Sequence, residues 1–303
     1  MSMKYLKHKN NKNTKSAMTF KPKSTALTVL VFVLLFSLIG SGCLGQNFAD
    51  NKIVTSGSTS VLPLAQVLSE EYMKINDETI ISVKGGGSGT GIAELIDASN
   101  DIAMSSRKIK NEEMTAAQTN GIRPVEHIIA MDGISIIVNP SNTIDSLTLE
   151  QLQKIYSGEI KNWKEVGGED TEIAAIARDS ASGTQEFFKE AVMKEKDFRT
   201  DLITQSATGA VTLEVSQNKN AIGFVGAAYQ TGGIKTIGIN AGNGTIMPTE
   251  ENILSETYPL SRALYLYTAE NPKRAAADFI SFIMSEEGQG IVRKTGYAPV
   301  KNV

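Results

Sequence analysis

The chain has 303 residues, of which 41% are apolar and 21% are charged, and this length and composition suit a globular protein with two lobes. Seven of its 30 basic residues precede residue 43, so the rest of the chain has 23 basic against 33 acidic residues, a net charge of about −10. Such an acidic protein lacks the basic face that nucleic-acid phosphates require, which excludes a nucleic-acid partner. Its one cysteine, Cys43, leaves no pair for a disulfide bond.

Residues 1–42 have the composition of a targeting segment. Seven lysines and no acidic residue precede the apolar run Ala26–Ile39. This run is too short to span a membrane comfortably. The small residues Gly40–Gly42 lead from this run to Cys43. The pattern is typical of a lipoprotein signal peptide, after which a lipidated Cys43 begins the mature protein and residues 43–51 form a tether. An uncleaved signal anchor is the alternative, and either segment would place the rest of the chain outside the cytoplasmic membrane.

From residue 52 onward, the chain repeats a unit of strand, turn and helix, in which each turn is rich in glycine or hydroxyl residues. This repetition predicts an α/β lobe with a parallel sheet, whose ligands gather outside the carboxyl ends of the strands. The predicted strands are Ile53–Thr55, Thr79–Val83 and Asp101–Met104; the turns are Ser56–Ser60, Gly85–Gly91 and Ser105–Arg107; the helices are Val61–Ile75, Ile92–Ile96 and Asn111–Thr119.

A long apolar stretch, Pro124–Asn139, predicts the first crossing to a second lobe. The Asp132-Gly133 dipeptide interrupts it, so we expect two separate extended segments. The apolar strand Leu260–Tyr267 is expected to return to the first lobe. Other predicted elements are the helices Leu147–Tyr156 and Thr208–Val215, the loop Gly158–Gly168, the strand Ala221–Val225, a helix from Asn271 that buries Ala276, Phe279, Ile280 and Ile283, and a last helix, Glu287–Lys294.

The most informative junction lies between a buried strand, Ile173–Ala177, and a helix with apolar residues at Phe187, Phe188, Ala191 and Val192. At such a junction, the first backbone N–H groups of the helix have no internal partner and point outward with the positive end of the helix dipole. A ligand with negative charge is therefore expected here.

The residues of this junction suit an anion. Gly183 allows the backbone to approach a ligand closely, and Ser182 and Thr184 add hydroxyl donors. Arg178, at the end of the strand, offers a planar fork of N–H groups that matches an oxyanion. The alternative is that Ser182 or Thr184 only caps the helix while Arg178 forms an ion pair with Asp179.

The glycine-rich turns do not match the common catalytic motifs. Gly85–Ile92 has no lysine where a P-loop needs one, and it lacks the spacing of a dinucleotide-binding fingerprint or a nucleophile elbow. His127 is the only histidine after residue 42, and an apolar run surrounds it. The sequence shows no spacing typical of a metal site and no general base for hydrolysis, so neither an enzyme activity nor a cofactor or metal is predicted.

In combination, these motifs resemble the phosphate-binding receptors of ABC phosphate importers, the PstS family, over essentially all of residues 51–303. The resemblance implies a type II periplasmic-binding-protein fold, in which two α/β lobes joined by two hinge strands close on the ligand. Lobe 1 would comprise residues 52–131 and 262–303, and lobe 2 residues 132–261. The matching segments are Ser58–Ser60, Gly87–Gly89, Ser105–Arg107, Leu149–Trp163, and Arg178 with Ser182–Thr184.

The resemblance also implies the partners and the binding residues. The partners would be inorganic phosphate, the permease and ATPase subunits of an importer, and the membrane through a lipid anchor. Receptors for sulfate, molybdate or tungstate and, from another class, a surface phosphoester hydrolase are the alternatives. The implied phosphate-binding residues are Thr59, Ser60, Ser88, Ser106, Arg178, Ser182, Gly183 and Thr184.

Ser106 departs from the pattern of the best-known relatives, which carry an aspartate there to accept the proton of hydrogen phosphate. A serine hydroxyl can donate or accept, so it could serve phosphate or sulfate. We therefore hypothesise that another carboxylate accepts this proton, and Asp179 is the nearest candidate in sequence. The alternative is that Asp179 only orients Arg178 through an ion pair.

Overall fold

The structure, a computed structural model, describes residues 51–194, 196–229 and 232–300. The predicted signal peptide, Cys43 and all of the predicted tether except Asn51 lie outside the described residues. Within the part of the chain that the structure describes, no helix has both the length and the hydrophobicity needed to cross a membrane.

The first part of the fold follows the predicted repetition. Strand β1 pairs in parallel with β2 on one side and with β3 on the other, so the carboxyl ends of the three strands share one edge. Helix α1 has its proline in the first turn, where a missing N–H is harmless, and buries Leu64, Leu68 and Tyr72. The elements are β1 (Lys52–Gly57), α1 (Leu62–Ile75), β2 (Ile80–Gly85), α2 (Ser88–Ile96), β3 (Ile102–Ser105) and α3 (Asn111–Thr119).

The predicted break at Asp132-Gly133 is wrong, because Pro124–Val138 forms one continuous strand, β4. Its first part, up to Gly133, pairs with the antiparallel strand β11 (Ser261–Ala269). Its second part, from Ile134, pairs with the antiparallel strand β8 (Ala221–Gly226). The dipeptide marks a change of partner strand instead of a turn, since Asp132 is paired in register with Arg262 of β11.

The second part of the fold contains a further strand–helix series. Strand β6 (Ala174–Arg178) pairs in parallel with β7 (Ile203–Gln205) and β8, while β9 (Lys235–Asn240) pairs with β4, β5 (Ser146–Leu147) and β10 (Thr245–Ile246). Strands β5, β7, β9 and β10 were not predicted, and a short 3-10 helix, Trp163–Val166, lies in the predicted loop. The elements are β5 (Ser146–Leu147), α4 (Leu149–Ser157), β6 (Ala174–Arg178), α5 (Gly183–Phe188) with a π-helical continuation (Lys189–Met193), β7 (Ile203–Gln205), α6 (Thr208–Gln217), β9 (Lys235–Asn240), β10 (Thr245–Ile246) and α7 (Glu250–Leu254).

Strand β11 leads to the last two helices, α8 (Arg274–Ile283) and α9 (Glu286–Lys294). The four residues predicted for the buried side of α8 are all buried. The strands follow the order β2-β1-β3-β11-β4-β8-β6-β7, so β4 and β11 lie at its centre and connect the two parts of the fold.

The apolar side chains form a separate core in each part. The core of lobe 1 uses residues up to Ala130 and again from Leu264, whereas the core of lobe 2 lies between Ile134 and Leu260. Both transitions fall on or beside β4 and β11, which are therefore the two connecting strands. The exact lobe boundaries given above stay a prediction.

Candidate functional site

A cluster of buried hydroxyl groups lies where helix N-termini from the two lobes meet. Thr59 and Ser60 precede α1 of lobe 1, while Thr184 and Thr208 lie in the first turns of α5 and α6 of lobe 2. The Ser60 Oγ lies 2.9 Å from Thr184 Oγ1, and the Thr59 Oγ1 lies 3.1 Å from Thr208 Oγ1. The four side chains are at most 9% exposed. Residues 124 and 149 positions apart in the sequence thus share one polar cluster.

Two further predicted serines of lobe 1, Ser88 and Ser106, lie next to Gly183 of lobe 2. Ser88 Oγ accepts the backbone N–H of Ser106 at 3.0 Å and lies 3.3 Å from Ser106 Oγ. A Cβ atom added to Gly183 would overlap Ser88 Oγ and lie only 2.7 Å from Ser106 Oγ. Only a glycine permits the lobes to approach this closely at this point.

Ser182 is the N-cap of α5. Its Oγ accepts the backbone N–H of Gln185 at 3.3 Å. The side chain therefore caps the helix, which was the alternative role considered from the sequence. It is also 2% exposed and directly precedes Gly183, so all eight predicted residues lie in or beside one buried region.

Arg178 supplies the positive charge of this region and is 4% exposed. Its guanidinium donates to the hydroxyls of Thr208 (3.0 Å) and Thr59 (3.1 Å). It also donates to the carbonyl oxygens of Gln205 (3.1 Å) and Ser206 (2.9 Å). Among the described residues, no carboxylate forms an ion pair with it. Burial lowers the pKa of Arg178, yet an arginine stays protonated in a protein. The site therefore holds a buried cation that only neutral oxygens contact.

Asp179 does not form the ion pair with Arg178 that was one of the two roles considered for it from the sequence, and its role as proton acceptor stays a hypothesis. Its Oδ1 accepts the backbone N–H of Ala181 at 3.1 Å and so closes the turn before α5. It makes no ion pair with the Arg178 guanidinium, which extends toward α6. An aspartate bonding to the N–H two residues ahead is a common turn device, and that local contact determines the position of Asp179.

A second buried arginine, Arg262, was not predicted from the sequence as a residue of the site. Its Nη2 and Nε donate to Asp132 Oδ2 at 2.8 Å and 3.1 Å, and both side chains are at most 2% exposed. Its Nη1 donates to Thr184 Oγ1 at 3.0 Å. The signal was present, because Asp132 and Arg262 are opposite charges within two apolar strands. Their pairing depends on strand register, which a single sequence does not reveal.

Thr208 was also missed as a site residue. The sequence predicted the start of its helix, but Ala207-Thr208-Gly209 carries only one hydroxyl and follows the three-residue strand β7, which was not recognised. Thr59 and Ser60, which face Thr208 from lobe 1, are held in place by two tyrosines. The Tyr297 hydroxyl donates to the Ser60 carbonyl at 2.7 Å, and the Tyr229 hydroxyl donates to the Thr59 carbonyl.

The lobes also make direct contacts beside the hydroxyl cluster. The Gly89 N–H donates to the Ala181 carbonyl at 3.0 Å, from lobe 1 to lobe 2. Lys110 Nζ of lobe 1 lies 2.9 Å from Glu186 Oε2 of lobe 2. The structure is therefore a closed arrangement of the lobes around the cluster.

The cluster is suited to binding an anion, and His127 is not part of it. His127 lies elsewhere on β4, where its Nε2 is 3.0 Å from Thr268 Oγ1 and burial lowers its pKa. In the described part of the chain, no three His, Cys, Asp or Glu side chains are grouped as metal ligands would be. The arrangement consists of N–H and O–H donors around a buried cation, which stabilise a bound oxyanion.

Comparison with known proteins agrees with this geometry. The family described as the PBP superfamily domain matches residues 45–287. The chain is 33% identical over 267 residues to the phosphate-binding protein PstS of Staphylococcus saprophyticus, and this alignment covers 85% of the chain and 83% of the relative. The chain belongs to the PstS family.

Solved structures resemble this PstS-family chain as well. A substrate-binding protein of Clostridium perfringens, solved with bound phosphate, is 34% identical and has a TM-score of 0.77, with 83% of this chain and 100% of that one covered. An ABC-type phosphate transport receptor of Vibrio cholerae is 33% identical with a TM-score of 0.66, covering 81% and 98%. The predicted fold of two α/β lobes joined by two hinge strands is confirmed.

The buried Asp132–Arg262 pair of this PstS-family chain yields a test of stability. Asp132→Asn leaves a buried guanidinium without its counter-charge, so the free energy of unfolding should fall by about 3–5 kcal/mol. Asp170→Asn is the control, because Asp170 and its partner Lys164 are both exposed, and loss of such a surface pair should have little effect. Denaturant unfolding of both purified variants measures the difference. Equal stabilities would contradict the role given to Asp132.

Proposed function

We propose that this chain is an extracytoplasmic receptor that binds inorganic phosphate between its lobes and delivers it to the membrane subunits of an ABC importer. One observation supports this proposal above the others. Arg178 is a buried cation to which no carboxylate of the described residues is paired, at the centre of a hydroxyl cluster to which both lobes contribute. A buried charge of this kind is costly unless an opposite charge joins it, and a phosphate would provide that charge.

The charges around the cluster favour a dianion held mainly by neutral donors. Asp132 offsets the charge of Arg262, so Arg178 is the one arginine of the site whose charge no carboxylate balances among the described residues. The remaining ligand charge would be dispersed by hydroxyls and by the N-termini of α1, α2 and α6. Such local donors suit a chain with a net negative charge, which cannot attract anions through its overall field.

The proposed phosphate-binding residues are those implied by the sequence. Their side chains or backbone lie in the buried region described above, and the relatives named phosphate-binding protein or phosphate transport receptor share the fold at 33% identity. They are Thr59, Ser60, Ser88, Ser106, Arg178, Ser182, Gly183 and Thr184. We include no catalytic residue, cofactor or metal.

Calorimetry of the purified chain with phosphate, arsenate, sulfate and molybdate tests the proposal. Phosphate and arsenate should bind, since they share shape and protonation, and phosphate should be preferred over sulfate and molybdate. Tight binding of sulfate with no binding of phosphate would make the chain a receptor for another oxyanion. Steady release of phosphate from a phosphoester would contradict the assignment as a receptor that is not an enzyme.

The guanidinium fork of Arg178 gives the first prediction. Arg178→Lys keeps the charge but loses the planar pair of donors, so phosphate affinity should fall at least about tenfold, which is about 1.4 kcal/mol. Arg199→Lys is the control in the same lobe, because Arg199 is also buried but pairs with Asp201 and contacts none of the proposed residues. Calorimetry compares the two variants. Undiminished phosphate binding by Arg178→Lys and Arg178→Ala would rule out this site.

Closure of the lobes gives the second prediction. Gly183→Ala places a methyl group against Ser88 Oγ and Ser106 Oγ of the other lobe, so it should block the closed arrangement and lower phosphate affinity at least about tenfold. Gly209→Ala is the matched control, because a Cβ atom there meets nothing within 4 Å. Small-angle scattering with and without phosphate should show compaction for Gly209→Ala and none for Gly183→Ala. Compaction of both would mean that closure does not use the Gly183 contact.

The lipid anchor gives the third prediction. We propose that Cys43 is lipidated after cleavage of residues 1–42, which holds the receptor at the outer face of the cytoplasmic membrane. Cys43→Ser should leave an unprocessed chain or release it from membranes, and cell fractionation with mass spectrometry of the N-terminus detects either result. A cleaved Cys43→Ser chain that stays on the membrane would contradict lipidation of Cys43.

A further inference from the structure

Thr208 lies among the proposed phosphate-binding residues, although neither the sequence motifs nor the resemblance assigns it a role. It is the first residue of α6 and is 1% exposed. Its Oγ1 lies 3.0 Å from Arg178 Nη1, 3.1 Å from Thr59 Oγ1 and 3.4 Å from Ser60 Oγ. The side chain thus lies between Arg178 of lobe 2 and the hydroxyls of Thr59 and Ser60 of lobe 1.

The hydrogen bond from Arg178 determines whether the Thr208 hydroxyl donates or accepts toward other groups. A guanidinium only donates hydrogen bonds, so Thr208 Oγ1 accepts from it and the single hydroxyl proton is left to donate elsewhere. The hydroxyl oxygens within reach are those of Thr59 and Ser60, across the interface between the lobes, and that of Tyr229. Thr208 therefore has a proton to donate at the point where the lobes meet.

Several lobe 2 donors converge at this point. Arg178 Nη2 donates to Thr59 Oγ1 at 3.1 Å, and the backbone N–H of Thr208 donates to the same atom at 3.4 Å. The Thr208 hydroxyl also lies within hydrogen-bond distance of it. Three donors directed at one oxygen position, one of them charged, match what an oxygen of an oxyanion requires.

The start of α6 supplies a separate observation. Its N-cap is Ala207, which forms no side-chain capping bond, whereas Ser182, Thr148 and Ser285 cap their own helices. Alanine is among the poorest N-cap residues, so the first N–H groups of this ten-residue helix have no cap of their own. In this structure the Ala210 N–H bonds to the Ala207 carbonyl, whereas the Thr208 N–H points out of the helix to the Thr59 hydroxyl, where a ligand oxygen could take its place.

We propose that Thr208 is a further phosphate-binding residue, whose hydroxyl and backbone N–H donate to the ligand oxygen that Arg178 holds. This inference rests on the proposed function and extends its binding site to the N-terminus of α6. Thr184 offers a parallel, because its hydroxyl accepts from Arg262 Nη1 at 3.0 Å and is likewise left with a proton to donate.

The test compares three threonine variants by calorimetry with inorganic phosphate. Thr208→Val removes the hydroxyl at nearly constant volume and should lower phosphate affinity at least about tenfold, or about 1.4 kcal/mol. Thr208→Ser keeps the hydroxyl and should bind within about threefold of the unmodified chain. Thr212→Val is the control on the same helix, since its hydroxyl bonds to the Gly209 carbonyl, and it should bind normally. If Thr208→Val does not fold, Thr208→Ala takes its place.

A contact with phosphate must be separated from mere support of Arg178. If Thr208 acted only through the arginine fork, Thr208→Val would have no further effect in the Arg178→Lys background. We expect a similar fold-change in both backgrounds, and its disappearance would overturn the proposal. Normal binding by Thr208→Val would overturn it too while leaving phosphate binding by the chain intact. If the unmodified chain does not bind phosphate, the proposed function itself fails.

Discussion

A buried guanidinium loses its hydration, and in most proteins a carboxylate compensates for that loss. The Arg178 guanidinium instead donates hydrogen bonds to two carbonyl oxygens and two hydroxyl oxygens. Neutral oxygens satisfy its N–H groups but leave its charge unbalanced, so the region around it keeps a positive potential within an acidic protein. The surrounding hydroxyls and helix N-termini add partial charges of the same sign. The cluster is therefore electrostatically complementary to an anion and to little else.

Arg262 is also a buried arginine, but unlike Arg178 it has a carboxylate partner. Asp132 balances its charge, and the two residues face each other in register where β4 and β11 pass between the lobes. The third contact of Arg262 reaches Thr184, so one residue joins the connecting strands to the binding cluster. The pair is therefore expected to fix the geometry of the crossing, whereas Arg178 is free to interact with a ligand.

The sequence predicted those parts of the fold and the site that depend on neighbouring residues, and it missed those that depend on distant ones. The strand–turn–helix units, the buried side of α8 and the cradle at Ser182–Thr184 follow from hydrophobic spacing and turn residues, and the structure has them. Asp132-Gly133 was misread, because strand pairing outweighs the turn preference of that dipeptide. Thr208 and the Asp132–Arg262 pair were missed because they depend on contacts between distant segments. The ion pair considered for Asp179 does not form, since adjacency to Arg178 in sequence says nothing of the direction in which a long side chain extends.

The hydroxyls of the cluster differ in what they can still offer a ligand. Those of Thr59, Ser88, Ser182, Thr184 and Thr208 each accept a hydrogen bond from an N–H group, so their protons are available for donation. Ser60 and Ser106 accept from no N–H group of the described residues; their hydroxyls meet only other hydroxyls. They are thus the two that can rotate to accept a proton.

Under the proposed function, this difference determines how the proton of hydrogen phosphate is received. A carboxylate at position 106 would accept it and would repel an anion without one, whereas a serine accepts it and repels nothing. The distinction between phosphate and sulfate therefore depends on the acceptor that receives this proton, because a fully deprotonated oxygen would leave that acceptor without a donor. Since most of the cluster is fixed as donors, the discrimination available to Ser60 and Ser106 is smaller than a carboxylate would provide.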